Sequence, residues 1–325
     1  MSMRLNIVVS CSNRKAVDSG RPVRLRDISR RTPASRVSAW WQALKDAEGD
    51  RRPAGDVYVG EQWSVVRRVL TLSEQRGWVP RLWVCSAGYG LIDSSTDIVP
   101  YSATFAANEP DSVIDPDEET SATEQVQGWW SGLAAKRRGH RITTALSAHR
   151  GEFTIMAVSL AYLRAVESDV VEHAASLRNP DRLLVICAGA SQTHSGVSDW
   201  LVPCDGRLRR ALGGTLSGLN VRILEWMLNT RGDFGLASAQ SRMARLMRET
   251  PALDPECGKR LTDDEVVAFI RKRKAAIGSA SGLLRALRDS GKACEQSRFS
   301  GLYAATVRRQ EGGTAPRRTV GGNRR

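Results

Sequence analysis

The chain has 325 residues, 41% of them apolar, enough for one large domain with a buried core and a small appendage. Its formal net charge of +13 points to a polyanionic partner, nucleic acid by default, and argues against an acidic solvating chain. No stretch reaches the ~18 apolar residues of a membrane span, and the opening MSMRLNIVVSCSNRK lacks the apolar segment and cleavage site of a secretory signal. A cytoplasmic protein is therefore expected.

Four apolar, non-alternating runs read as strands covered on both faces, at residues 5–10, 81–86, 153–158 and 182–188. Helical patterns lie between them. Trp63, Val66 and Leu70 share a face of a helix over residues 62–76, with Gly77 placed to end it. Residues 108–125 carry seven carboxylates and no Lys or Arg, and read as an exposed acidic excursion. Leu160, Leu163, Val166 and Val170 mark a helix after the third strand. Leu216, Leu219, Ile223, Trp226 and Met227 mark one after the fourth. Alternating β and α units imply an α/β fold: an open, mainly parallel sheet with crossover helices over residues 1–231.

Residues 232–258 read as a helix and linker, and residues 259–311 as a small basic helical module. There Thr262-Asp-Asp-Glu265 forms a capping box opening a helix through Ile277. A second helix begins at Ser281 with Leu283, Leu284 and Leu287 inward and ends at Gly291. A third spans residues 295–309 with Phe299, Leu302, Tyr303 and Thr306 inward. Residues 312–325 read as a disordered basic tail. From Arg260 onward there are 15 Lys or Arg against 6 Asp or Glu, so about a fifth of the chain holds +9 of the charge. Three helices with this supply of cations suggest a helix-turn-helix-like DNA-binding module. Arg285, Arg288, Lys292, Arg298, Arg308 and Arg309 are its candidate phosphate contacts.

In an open parallel sheet, ligands bind beyond the carboxyl ends of the strands. Each strand here is followed by small or polar residues: Ser10-Cys11-Ser12-Asn13-Arg14-Lys15, Ser86-Ala87-Gly88-Tyr89-Gly90, Ser159 with Tyr162, and Ala188-Gly189-Ala190-Ser191. Short βα loops need such residues anyway, but four together predict a pocket. Six cysteines (Cys11, Cys85, Cys187, Cys204, Cys257, Cys294) show no Cys-x-x-Cys pair, so free thiols are expected, with no metal and no cofactor. The dinucleotide fingerprint, the P-loop and the zinc-deaminase signature are absent. Gly213-Gly214 ahead of a helix is a weak phosphate signal.

The segments VSCSNRK, VYVGEQW and SAGYGLIDSSTDIVPYSATF resemble the YaaA-like superfamily, with its phage- and defence-associated members, and are similar to a domain of archaeosine synthases. The resemblance covers roughly residues 5–226 by element order and is specific around 11–15 and 86–105. It implies nucleobase chemistry, including deazaguanine modification. Its defence branch resembles DNA glycosylases that remove bulky modified cytosines from phage DNA. Ser102 follows the Pro-Tyr pair where relatives often carry Asp, so no catalytic carboxylate is assigned there.

Base excision flips the base into a pocket and passes through an oxocarbenium-like transition state, which a nearby carboxylate stabilises. Asp97 and Asp199 are the leading loop carboxylates, with Asp93 and Glu61 behind them. Lys15, Asn13 and Arg14 are placed to meet the departing base, and Tyr89 and Tyr101 to stack on it. Cys11, Ser12, Ser86, Gly90 and Tyr162 complete the expected substrate pocket, with His194 a further donor. The expected function is a DNA glycosylase in antiviral defence. The alternatives are a non-enzymatic nucleic-acid-binding or nucleotide-sensing protein and a base-modifying transferase.

Overall fold

The computed structural model describes residues 3–16, 22–29, 32–107, 109–137, 141–146, 149, 151–190, 196–230, 232–252, 259–274, 277 and 279–311. The chain divides into two compact units, residues 1–251 and 252–325.

The first unit is built on a six-stranded sheet: β1 (Met3–Ser10), β2 (Trp78–Ser86), β3 (Gly90–Asp93), β4 (Phe153–Ala157), β5 (Leu183–Ile186) and β6 (Leu201–Val202). Their spatial order is β6-β5-β4-β1-β2-β3. All neighbours run parallel except β2 and β3. The α/β class and the four long strands thus agree with the sequence pattern. Every residue of β1 from Leu5 to Ser10 is buried, so both faces are covered, as a run without alternation requires.

Two strands escape the sequence pattern. Gly90–Asp93 is a four-residue strand that folds back antiparallel on β2, pairing Ser86 with Gly90. The segment after β2 is therefore a hairpin turn and not a βα loop. Ser86 Oγ accepts the amide of Tyr89 at 3.0 Å, and Gly90 takes φ +75°, a left-handed value that glycine adopts without strain. β6 has only two residues, too few to show a period.

The helices used below are α1 (Pro33–Asp46), α2 (Glu61–Gln75), α3 (Ala122–Lys136), α4 (Leu160–Ser176), α5 (Leu219–Asn229) and α6 (Leu236–Glu249). α2 packs on α5, while α3 packs on both α1 and α4. Gly77 takes φ +79° just past α2, as a helix-ending glycine should. Leu216 is 59% exposed and precedes α5, so it is not part of that helix's buried face. α6 is the helix expected within residues 232–258, and it belongs to the α/β unit: Leu236, Ala239 and Met243 are buried in the main core. Gln240 Nε2 donates to the Leu201 carbonyl at 3.0 Å, satisfying one acceptor on the edge strand β6.

The second unit holds α7 (Asp263–Arg273), α8 (Ala280–Asp289) and α9 (Gln296–Glu311). A two-residue parallel ladder ties Lys259–Arg260 to Lys292–Ala293. Among the described residues eight, including Val266, Ile270, Leu287 and Phe299, form its buried core. Both halves of the Thr262/Glu265 capping box are present. α7 ends at Arg273, short of Ile277, which still packs on the core. The α8–α9 connection, residues 290–295, is longer than the about three- or four-residue turn of a helix-turn-helix. Among the described residues no helix is long and apolar enough to cross a membrane. The expected tail, residues 312–325, and most of the expected linker after residue 252 lie outside the described residues.

Candidate functional site

The chain leaves β1 toward β2 on one side and later returns to β4 on the other, so the connections reverse between β1 and β4. The carboxyl ends of the strands part at such a switch point and leave a crevice. A pocket of about 440 Å³ lies there, lined by Ser10 to Arg14 after β1, by Ser159 and Tyr162 after β4, and by Glu61 at the start of α2.

Short local bonds fix the loop after β1. Cys11 N–H donates to the Cys85 carbonyl at 2.9 Å, extending the β1–β2 ladder by one residue. Val59 N–H donates to the Arg14 carbonyl (3.1 Å) and Ala16 N–H to the Val57 carbonyl (2.8 Å). Ser12 Oγ lies 2.7 Å from the Arg14 carbonyl and 3.1 Å from that of Val59. Gln62 Nε2 reaches the Ser10 carbonyl at 2.9 Å, and Ser159 N–H donates to Ser10 Oγ at 3.0 Å. The loops after β1 and β4 and the start of α2 are thus joined at the pocket rim.

Beneath them lies a chain of hydroxyls and one thiol. Cys11 Sγ is 3.0 Å from Tyr162 Oη and 3.4 Å from Tyr101 Oη. Tyr101 Oη is 2.8 Å from Ser86 Oγ and 3.0 Å from Tyr58 Oη. Burial pushes the Tyr58, Tyr101 and Tyr162 hydroxyls up, and neighbouring Cys11 adds to the shift, so all three stay protonated donors. Tyr58, which the sequence reading passed over, sits in VYVGEQW and stacks on Trp63 with centroids 4.9 Å apart. Its motif, a small-residue turn opening a helix, was the available signal.

The expected pocket residues divide into three groups. Cys11, Ser12, Asn13 and Tyr162 line the pocket. Ser86 and Tyr101 form its floor beneath Cys11. Tyr89 and Gly90 stand behind that floor: Tyr89 packs edge-on against Tyr101 at 5.4 Å and accepts the Val99 amide at 3.1 Å. Neither Tyr89 (4% exposed) nor Tyr101 (1%) offers a face to a flipped base. Gly88 lies flat against the Tyr101 ring, where an added Cβ would come within 2.6 Å of it. The Lys15 ammonium lies 4.2 Å from the Tyr101 ring centroid. The stacking role expected of both rings is therefore corrected.

The leading carboxylates fall elsewhere. Asp97 is exposed on a two-residue strand paired with Arg52–Pro53. Asp199 is exposed in a 3-10 turn before β6. Asp93 is bound to Arg81 Nε at 2.8 Å. None lines the pocket; among its described lining residues the carboxylate is Glu61. Burial alone would raise the Glu61 pKa, but hydrogen bonds from Thr215 and Arg222 outweigh it and hold the group below the usual carboxylate value. Arg222 Nε donates to Glu61 Oε1 at 2.7 Å. Gly214 and Gly218 close on that carboxylate: a Cβ on Gly218 would lie 2.9 Å from Oε2. The glycine turn before α5, read as a phosphate signal, thus encloses the protein's own anion.

In the basic module Arg285 is exposed. Arg298 binds Asp263 (2.6 Å) and the Leu261 carbonyl (2.9 Å), and Arg288 reaches the Cys294 carbonyl at 3.2 Å. These two cations brace the module as well as charging its surface. Lys292 lies 5.6 Å from the Phe269 ring centroid. Arg308 and Arg309 fall on the last turns of α9, with side chains outside the described part, as is all of His194. Among the described residues no group of three His, Cys, Asp or Glu is placed to hold a metal ion. Compared with known protein families, with curated proteins and with solved structures, the chain matches none.

Proposed function

We propose that this chain is a cytoplasmic DNA N-glycosylase of antiviral defence, releasing a modified nucleobase, such as a bulky modified cytosine of phage DNA. The observation that carries the reading is the switch-point pocket, whose lining includes both a carboxylate held ionised, Glu61, and the donors Asn13, Arg14 and Tyr162. A flipped base entering there meets donors for the negative charge it acquires on leaving, while the sugar, turning cationic, meets Glu61. The basic C-terminal unit supplies phosphate contacts independent of sequence. One observation favours a second reading: Glu61 is already paired with Arg222, which suits a site that binds a nucleotide-like ligand without cleaving it.

The deciding experiment incubates the full chain with canonical and phage-modified duplex DNA, followed by alkaline cleavage. Strand breaks at the modified base, lost in Glu61→Gln, support base release. Retarded migration of DNA without breaks on any substrate supports the second reading.

A further inference from the structure

The strands of the α/β unit begin on a second opening, at the other end of the sheet from the pocket. Met3 and Ser10 are the two ends of β1, about 23 Å apart at the rise of a parallel strand. A groove of about 370 Å³ lies at the Met3 end. Its floor is aromatic: Trp78 at the start of β2, Phe153 at the start of β4, and Phe234 just before α6. Trp78 meets Phe153 edge-on at 5.3 Å and Phe234 edge-on at 6.0 Å between ring centroids. Met3 stands at the lip, 57% exposed. A single exposed apolar residue means little, but this one continues an apolar floor ringed by cations, which is how interaction surfaces are built.

Three guanidiniums ring the floor. Arg76 and Arg242 both lie over Phe234, 5.6 and 5.7 Å from its centroid, and Arg182 lies over Phe153 at 5.4 Å. Their hydrogen bonds go to neutral acceptors. Arg76 donates to the Thr230 carbonyl (2.7 Å), Arg242 to Thr230 Oγ1 (3.1 Å) and the Asp233 carbonyl (3.0 Å), and Arg182 to the Gly151 carbonyl. Among the described residues none of the three is ion-paired. Asp233 is the carboxylate lining the groove, so three cations face one anion. Arg76 and Arg242 share one ring and repel each other, and an added anion would relieve that repulsion. Trp78 and Phe234 are only 8% and 5% exposed and meet edge-on, so they offer no ring face for a base to stack on. The open part is the cleft beside the Met3 side chain, shaped for an apolar side chain.

We infer that this groove docks an acidic segment of a partner protein, with one large apolar side chain entering beside Met3 and carboxylates meeting Arg76, Arg242 and Arg182. The inference does not rest on base release. A partner seated at the amino ends of the strands leaves the pocket at their carboxyl ends open, so docking and the chemistry of the pocket are compatible.

The test uses the full chain and three short fluorescein-labelled peptides at physiological salt. The first sets Asp and Glu around a central Leu-Phe pair. The second replaces that pair by Ser-Ser, and the third keeps it but replaces every carboxylate by Lys. Anisotropy should find the first bound about tenfold or more tighter than either other, the gain that burying one such side chain supplies. Met3→Asp and Arg76→Gln should each weaken it by about tenfold. Arg76→Gln forfeits the bond to Thr230; should it fail to fold, Met3→Asp, at an exposed position, still decides. The basic C-terminal unit also attracts carboxylates, so the contact is mapped. A benzophenone amino acid in place of the peptide's Phe is photolysed, and adducts are located by peptide mass spectrometry, expected at Met3 or residues 232–234. Equal binding of the Ser-Ser peptide, full affinity in a folded Met3→Asp, adducts confined to residues 252–325, or no binding overturns the inference. So does protection of Met3 from peroxide by a short oligothymidylate but not by the first peptide, which would give the groove to nucleic acid.

Discussion

The two units use their polar residues in opposite ways. In the α/β unit the polar groups of the site are also its packing. Tyr58, Tyr101 and Ser86 are buried to within 1% exposure, and each hydroxyl is bonded to another group of the floor. In the C-terminal unit the core is small and apolar, and the charge lies outside it. Substitution in the first therefore couples geometry to stability, because one residue does both. In the second, charge and core can be changed separately, except at Arg298 and Arg288, whose bonds to backbone carbonyls join the two.

The largest effect expected from this contrast is on DNA affinity. Ending the chain after Pro251 follows the boundary between the units. The lost segment includes the stretch from Arg260 that carries +9. If six of its basic residues contact phosphates, log affinity falls with log salt at a slope of about −5 for the intact chain, and raising salt from 50 to 200 mM costs about a thousandfold. Titrations of labelled duplex across that range should find the shortened chain weaker, with a much shallower slope, and with a folded α/β unit by circular dichroism. An unchanged slope would move DNA contact to the α/β unit, and the division of labour drawn above would not hold.

Legibility in the sequence follows the same division. The four long strands were readable because burial on both faces leaves Val, Ile and Leu without alternation. α7 was readable from its cap, because the Thr262/Glu265 pair is a local device. Cys11, Asn13 and Tyr162 were found because parallel strands send their following residues to one edge. The carboxylate was not found in first place. Glu61 enters the pocket only because the sheet order reverses between β1 and β4, and strand order is a non-local property. Asp97 and Asp199 look equally suitable along the chain and lie outside the pocket. The segment after β2 misled for a local reason: a hairpin turn and a ligand loop call for the same Ser and Gly residues.

A smaller effect compares the two cores. Leu287 is fully buried in the second unit, so Leu287→Ala should cost about 2–5 kcal/mol, much of what a core of this size provides. Gly88→Ala places a methyl within 2.6 Å of the buried Tyr101 ring and should cost about 1–3 kcal/mol. Calorimetry is expected to show Leu287→Ala erasing or shifting one transition while the larger one stays in place. Gly88→Ala should lower only the larger transition and, by displacing Tyr101, loosen its contact with Cys11. That would appear as faster alkylation of Cys11, with buried Cys85 as the internal reference. A single transition that both variants lower equally would mean the units unfold as one.

The smallest effect separates the units by acid. Asp111 is 5% exposed and accepts Arg26 Nε at 3.0 Å and Ser102 Oγ at 2.7 Å. Burial by itself would raise its pKa, but the bonds from Arg26 and Ser102 prevail and lower it from 3.8 to about 2. A carboxyl lowered on folding releases its proton more readily in the native state. Its contribution is therefore complete above the unfolded value of 3.8 and is lost as pH falls toward about 2. Arg26 is 46% exposed, so solvent screens the pair, and about 1–2 kcal/mol is a reasonable size. In the C-terminal unit Glu265 is also lowered, by its Thr262 amide bond, but it stands in solvent and should contribute little. Urea melts of the unaltered chain and Asp111→Asn at pH 6 and pH 2 should differ by that amount at the higher pH and converge at the lower. The convergence belongs to the α/β transition, because the Arg26–Asp111 pair ties the segment before α1 to the acidic stretch of that unit alone. A gap that persists at pH 2 would assign the loss to a neutral hydrogen bond with Ser102 and not to the ion pair.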